Sequence, residues 1–303
     1  MLYSIAGLWI EFEGDNEYFK KRSISFLNEG LEIKPNKIDM KINLATCEHI
    51  EKPDAEELMN DGQTVIYKRI DPEPGYYIFA RNLEPDGGKP EKPSLLQSNM
   101  TWNEIDIMFL LNDQLLTKLD KNKLLTWIQH MSFFAMGVPF RNLLLLKNGL
   151  QIHCSAIEYE GKGFIFSAPS GTGKSTHIRL WRDLYGDMVT IINEDRPAIR
   201  YINNAPMICG TPWSGTSDNF TNKIVPLSNI VMLEQAAENS IERLEPLRAL
   251  QMLMPRCFLP YFDIELMKNG IGTLERLLKD VPVYLLKCKP DYEAVELVQK
   301  CLK

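Results

Sequence analysis

The stretch FIFSAPSGTGKSTHIRLW, Phe164 to Trp181, decides how the chain is read. An apolar run, Phe164 to Ser167, has the character of a strand, and THIRLWRDLYG has the character of a helix. Between them lie Ser170, Gly171, Thr172 and Gly173, followed by Lys174, Ser175 and Thr176. A strand that turns through glycines into a helix N-terminus turns several backbone N–H groups toward one anion. The lysine adds a cation for the β and γ phosphates, and the hydroxyl after it suits Mg²⁺. The expectation is a phosphate-binding loop over Ser170–Thr176, with Ala168 where such loops usually carry their first glycine.

Working outward, Mg²⁺ takes only one or two protein carboxylates, so a second acidic anchor is expected at a strand end. MVTIINED supplies one: an apolar run from Met188 to Ile192 ends in Asn193, Glu194 and Asp195, one helix after the loop. Transporter-type ATPases place that strand much further along and carry an LSGGQ-like signature, which is missing. GTPase switches need an NKxD-type base reader, and TNKIVP at Thr221 to Pro226 lacks the aspartate.

The remainder of the chain narrows the class. Its 303 residues allow two domains, and a net charge of -6 argues against a general nucleic-acid-binding face. Six cysteines stand apart with no CxxC, which reads as free thiols in a reducing compartment. The first residues lack a basic leader, and no apolar run has bilayer length. The expectation is a cytoplasmic protein with no membrane and no nucleic-acid partner.

YSIAGLWIEFE, TVIYKRI and GYYIFARNL read as strands, and EPDGGKPEKPS, Glu84 to Ser94, as a loop. Leu124, Leu125, Ile128, Met131 and Phe134 share one face of a helix, with His130 in a structural role. A turn after Gly137 and a strand over RNLLLLKNG follow. Residues 1–137 are thus expected as a β-rich α+β region and 138–303 as an α/β domain. In that domain a strand covers Gln151 to Tyr159, helices cover EPLRALQMLMPRCF and Met267 to Leu278, and a last helix starts at Asp291. His177, just inside the helix after the loop, is expected at the surface.

From His153 to Arg200 these residues resemble the catalytic core of HPr kinase/phosphorylase, of the phosphoenolpyruvate-carboxykinase-like P-loop group. That family has a histidine on the strand before a G-x-S-G-x-G-K-S loop and a pair of acids soon after. Here stand His153, APSGTGKS and Glu194-Asp195, the first acid being glutamate rather than aspartate. CGTPWSGT, Cys209 to Thr216, also resembles a loop of shorter HPr-kinase-like proteins. The family's Gly-rich, Asn-containing segment after the acidic strand is not found, and the N-terminal half does not resemble that enzyme.

The resemblance implies a P-loop kinase fold, ATP and Mg²⁺. It implies phosphoryl transfer to a hydroxyl, seryl by preference, of a protein, peptide or small molecule, with ADP or pyrophosphate as other donors. It implies that one of Glu194 and Asp195 is the general base and the other faces the metal with Ser175, in either order, Glu194 being preferred as base and Asp195 on the metal side. It also implies His153 beside the phosphates with Lys174. Family members assemble into oligomers, so a homo-oligomer is among the expectations. Arg196, Arg200, Lys223 and Arg256 are candidates for the cation that developing charge requires. GTPWSGTSDNF reads either as a loop over the site or as a turn around a packing Trp213. Two other readings stand: a non-catalytic nucleotide-binding module, and a carboxykinase-type enzyme.

Overall fold

The computed structural model describes residues 1–28, 35–81, 93–113, 117 and 120–301. The chain forms two compact units, Met1–Ser4 with Leu8–Leu143, and Ile5–Gly7 with Leu144–Lys303. Among the described residues no helix is long and apolar enough to cross a membrane.

The first unit carries an eight-stranded mixed sheet. Its strands are β1 (Leu2–Ile5), β2 (Leu8–Glu13), β3 (Met40–Cys47), β4 (Glu57–Asn60), β5 (Thr64–Arg69), β6 (Gly75–Arg81), β7 (Pro93–Asn99) and β8 (Glu104–Leu110), in the order β1-β2-β3-β8-β7-β6-β5-β4. Alternation sets its buried face: Leu8, Ile10 and Phe12 from β2 and Ile105, Ile107 and Phe109 from β8 are all buried. Helix α1 (Glu17–Arg22) is capped by Asn16, whose Oδ1 accepts the Phe19 N–H at 2.7 Å. The Asn16 amide donates onward to Ser132 Oγ at 2.7 Å and Gln129 O at 2.9 Å, fastening α2 (Lys121–Leu146) beside it.

Two expectations change here. The loop over Glu84 to Ser94 lies outside the described residues up to position 92, and Pro93 and Ser94 already belong to β7. The turn after Gly137 and the strand over Arg141–Gly149 are not formed; α2 continues through Gly137 and Pro139 to Leu146. Proline inside a helix forfeits a hydrogen bond and disfavours the preceding turn. Met136, Phe140 and Leu143 are nevertheless buried at helical spacing on both sides of it, and burying each large apolar side chain is worth about 2 kcal/mol. The buried face also differs from the expected one. Leu124, Ile128 and Phe133 are buried while Phe134 is exposed, because Phe133 packs on Tyr18 and Phe19.

The second unit is mixed α/β. Its strands are β9 (Gly149–Gln151), β10 (Cys154–Tyr159), β11 (Lys162–Ser167), β12 (Val189–Asn193), β13 (Ala198–Ile202), β14 (Ala205–Cys209), β15 (Ile224–Gln235), β16 (Ser240–Arg243) and β17 (Val283–Cys288). The sheet runs β12-β10-β11-β15-β14-β13-β9, with β17 on β15 and β16 on β17. The strand expected over Gln151–Tyr159 is split at Ile152-His153. Gln151 pairs with β13 and Cys154 with β11, so the chain changes neighbours between them.

Helices α3 (Lys174–Tyr185), α4 (Pro246–Leu253), α5 (Ile264–Asp280) and α6 (Tyr292–Lys300) complete the unit. Asp291 caps α6 as expected, accepting the Ala294 N–H, and Asp263 caps α5 in the same way. The core beneath α3 joins Ile178 and Trp181 to Phe164 and Phe166 of β11 and Val295 and Val298 of α6.

Candidate active site

Strand register brings the sequence motifs together. β10 lies between β11 and β12 and is antiparallel to both, so β11 and β12 run the same way. Cys154 faces Ser167 and Ala156 faces Asn193, which sets the start of β10 beside the ends of both neighbours. His153, the Gly-rich loop and the acidic pair therefore meet at one end of the sheet. Open α/β sheets bind their ligands at that end of parallel strands.

The loop leaves β11 and closes on itself through Thr172 N–H to Pro169 O at 3.3 Å. Gly171 and Gly173 have φ of 80° and 110°, a region that side chains strain to enter. Gly173 is the N-cap of α3 and offers no side-chain cap, leaving the first N–H groups of the helix facing the loop's concavity. Lys174 is buried, and its Nζ donates to Ala168 O at 3.1 Å and Pro169 O at 3.4 Å. Burial holds this ammonium below its ordinary value, partly opposed by Cys154 and Asp195.

The acids sit on a turn built by Asn193. This fully buried side chain accepts the Asp195 and Arg196 N–H groups at 2.8 and 2.7 Å. Its amide donates to Thr211 O at 2.9 Å and makes longer contacts with Thr211 Oγ1 and Trp213 O. The acidic turn is thus tied to the start of the 211–217 loop. Sequence reasoning passed over Asn193 as a functional residue; its signal was an Asn at a strand end two residues before an acid, the pattern of an Asx turn. Glu194 accepts from Asn219 Nδ2 at 3.0 Å, and the Ser155 hydroxyl holds its backbone carbonyl at 2.9 Å.

Asp195 lies between two basic groups, His153 Nε2 at 3.3 Å and Arg196 Nε at 3.1 Å. Burial, then the Lys174 charge, pushes the His153 imidazole below its ordinary value, with Asp195 pulling the other way and Arg196 and Arg256 adding to the depression. His153 is oriented from both sides, by its N–H to Arg256 O at 2.8 Å and by the Ser167 hydroxyl on its carbonyl at 2.9 Å. Of the cationic candidates, Arg196 and Arg256 act on this cluster. Arg200 donates instead to Ala6 O at 2.5 Å, and Lys223 pairs with Glu158 at 2.8 Å.

A cleft of about 470 Å³ is lined by His153, Glu194 and Asp195, by Ser170, Gly171 and Gly173–Thr176 of the loop, and by Ser214–Ser217. Thr172 is not part of that lining. Trp213 is buried, so the GTPWSGT segment contains both features considered for it: a packing tryptophan, then a short run over the cleft. Gly215 lies so close to Asp195 that a Cβ there would stand 3.2 Å from its Oδ2.

One expectation is overturned. His177 is buried, not exposed, and Nε2 accepts the Trp181 indole N–H at 3.1 Å. Residues four apart share a helix face, and Trp181 had to face the core, which takes His177 with it. Burial lowers its pKa to about 4.

The donors in the cleft suit a hard divalent cation. Ser175, exposed at the loop's end, and Asp195 offer hydroxyl and carboxylate oxygens on the same cleft. Among the described residues no three His, Cys, Asp or Glu side chains form a cation cage. Two protein oxygens with phosphate and water completing the shell is the manner in which Mg²⁺ is held in phosphoryl-transfer sites.

No curated protein matches the chain. Among solved structures, that of the Hpr(Ser) kinase/phosphatase from Coxiella burnetii is similar at 13% identity, covering 50% of this chain and 95% of that one with a TM-score of 0.30. A family model described as SynChlorMet cassette protein ScmC matches residues 121–303, more than half of the chain. The chain belongs to that ScmC family.

Proposed function

We propose that the chain is an HPr-kinase-like, Mg²⁺-dependent phosphotransferase that moves a phosphate from ATP to a hydroxyl, seryl by preference, of a protein, peptide or small molecule. One observation carries the reading: Lys174 and the start of α3 share one cleft with Glu194, Asp195 and His153. Residues 138–303 would form the transferring domain and 1–137 a separate β-rich region, in a cytoplasmic protein.

In this reading the N–H groups of Gly171 and Gly173–Ser175 and the ammonium of Lys174 grip the donor's phosphates. Mg²⁺, held by Ser175 Oγ and Asp195, would neutralise phosphate charge. Glu194 takes the proton of the acceptor hydroxyl as it attacks the γ-phosphorus; both Asp195 oxygens already face basic groups, whereas Glu194 has only a neutral amide on one oxygen. The bond to the β,γ-bridging oxygen breaks as the new P–O bond forms, leaving ADP. His153, neutral at pH 7, can donate to a phosphate oxygen, and Arg196 holds Asp195 in place.

The experiment is transfer of labelled γ-phosphate from ATP to free serine and to seryl peptides, by the wild type and by Lys174→Ala. Label on an acceptor that disappears in the variant supports the reading. Nucleotide bound with no acceptor labelled favours a binding module, and no nucleotide bound by the wild type ends the reading.

A further inference from the structure

Both ends of the segment over the cleft are fastened to β12, the strand that ends in the acids. At one end the Asn193 amide donates to Thr211 O at 2.9 Å and, at 3.3 Å, to Trp213 O. At the other, Thr221 N–H donates to Ile192 O at 3.1 Å and the Thr221 hydroxyl to Ile191 O at 3.1 Å, while Phe220 pairs with Asn193. Between these anchors the chain turns tightly. Ser217 N–H donates to Ser214 O at 3.3 Å, and Gly215 takes a φ of 66°, so Gly215 and Thr216 form the tip of the turn.

This segment reaches both members of the acidic pair. Gly215 lies against the Asp195 carboxylate, and Asn219 Nδ2 donates to Glu194 Oε1 at 3.0 Å. Thr216 stands between those two contacts in sequence and lines the same cleft as Glu194 and the phosphate loop. Of the three hydroxyls in the turn, two are used by the turn itself. Ser214 Oγ donates to Ser217 O, and Ser217 Oγ accepts the Asn219 N–H at 3.0 Å. Thr216 is exposed, and its hydroxyl bonds none of the other described residues. The remaining hydroxyls of the lining, on Ser170, Ser175 and Thr176, belong to the phosphate loop and the first turn of α3, where the donor would be gripped.

We propose that Thr216 is a self-acceptor: the chain phosphorylates its own Thr216, in cis, from MgATP. The inference rests on the phosphotransferase reading given above. Glu194 takes the proton of the Thr216 hydroxyl while that oxygen attacks the γ-phosphorus. The bond from the γ-phosphorus to the β,γ-bridging oxygen breaks, and ADP leaves. A hydroxyl tethered in the cleft has a large advantage over a dissolved one, since well-oriented intramolecular reactions reach effective concentrations of about 10⁵–10⁸ M. The product carries a charge of about −1.5 to −2 beside Glu194 and Asp195, which repels the tip from the acids. With its hydroxyl esterified, Thr216 accepts no second phosphate, so the reaction stops at one phosphate per chain.

The test incubates the full chain with Mg²⁺ and γ-labelled ATP, without any added acceptor, and maps the labelled residue by mass spectrometry. Thr216→Val, Thr216→Ser and Lys174→Ala are run beside the wild type, with calorimetric ATP binding measured on each. The expected result is label on Thr216, approaching one phosphate per chain, at a rate per chain that does not change with protein concentration. Label should be lost in Lys174→Ala and in Thr216→Val, and restored in Thr216→Ser. Thr216→Val should still bind ATP, which separates loss of the acceptor from loss of the fold. A wild type that binds ATP and stays unlabelled overturns the self-acceptor; transfer to free serine by the same preparation then leaves the phosphotransferase reading standing. Label on another residue, or a rate per chain that rises with protein concentration, overturns it equally. If the wild type binds no ATP, the phosphotransferase reading fails and the self-acceptor with it.

Discussion

Asn193 Oδ1 accepts the backbone N–H of Asp195 at 2.8 Å, so a neutral, fully buried side chain sets where the acidic pair stands. The same amide bonds the carbonyl of Thr211, at the start of the loop that carries Ser214–Ser217 over the cleft. Position and closure of the site thus depend on one carboxamide with both ends in use.

Replacing Asn193 should therefore be costly in either direction. Asn193→Ala leaves two N–H groups and the Thr211 carbonyl unsatisfied, a loss of about 2–4 kcal/mol. Asn193→Asp keeps the acceptor but sets a carboxylate against carbonyl oxygens, and should also destabilise. Denaturant midpoints of both variants check this, and an unaltered midpoint for Asn193→Asp would contradict the assigned amide orientation.

Lys174→Ala removes the cation beneath the loop without removing core packing. ATP affinity should fall by about 10- to 100-fold, since a charge-assisted contact is worth about 1.5–3 kcal/mol. The thermal midpoint should fall modestly as well, because the buried carbonyl of Ala168 loses its donor. Calorimetry and thermal denaturation on the same preparation separate the two effects.

Glu194→Gln and Asp195→Asn should differ in kind. The first removes the proton acceptor and should lower the transfer rate about 10²- to 10⁴-fold with ATP affinity nearly unchanged. The second breaks the contacts with His153 and Arg196 and should weaken Mg²⁺-dependent ATP binding as well. Single-turnover transfer and ATP titrations at several Mg²⁺ concentrations would distinguish them; identical behaviour would reject the division of roles.

His177 makes stability depend on pH. Its imidazole titrates at about 4 in the folded protein against 6.5 as the reference value. Between those values the unfolded chain binds a proton that the folded chain does not. Stability should therefore fall as pH drops from about 6.5 to about 4, by about 3 kcal/mol in total, and gain nothing from this group above that window. His177→Gln keeps an acceptor for Trp181 and cannot titrate. Subtracting its stability profile from that of the wild type should isolate the slope, and a flat difference would refute the assignment.

Local pattern was enough for the strand–loop–helix at Phe164–Tyr185, for the strand ending in Asn193, and for the cap at Asp291. In each, the signal lies within a few residues: period, turn chemistry, or a capping side chain. It was not enough for α2 beyond Gly137, where Gly and Pro read locally as a stop and burial of Met136, Phe140 and Leu143 carries the helix on. Nor did it reach His177, which is buried against Phe166 and Trp181 where α3 packs on the sheet. The chemistry-bearing residue types were therefore determined by the sequence alone. Their meeting in one cleft was decided by the tertiary structure, through the register of β10 between β11 and β12. So was the place of Thr216 on that cleft, through the pairing of Phe220 with Asn193, because pairing between segments distant in sequence is a property of the sheet and of no single segment.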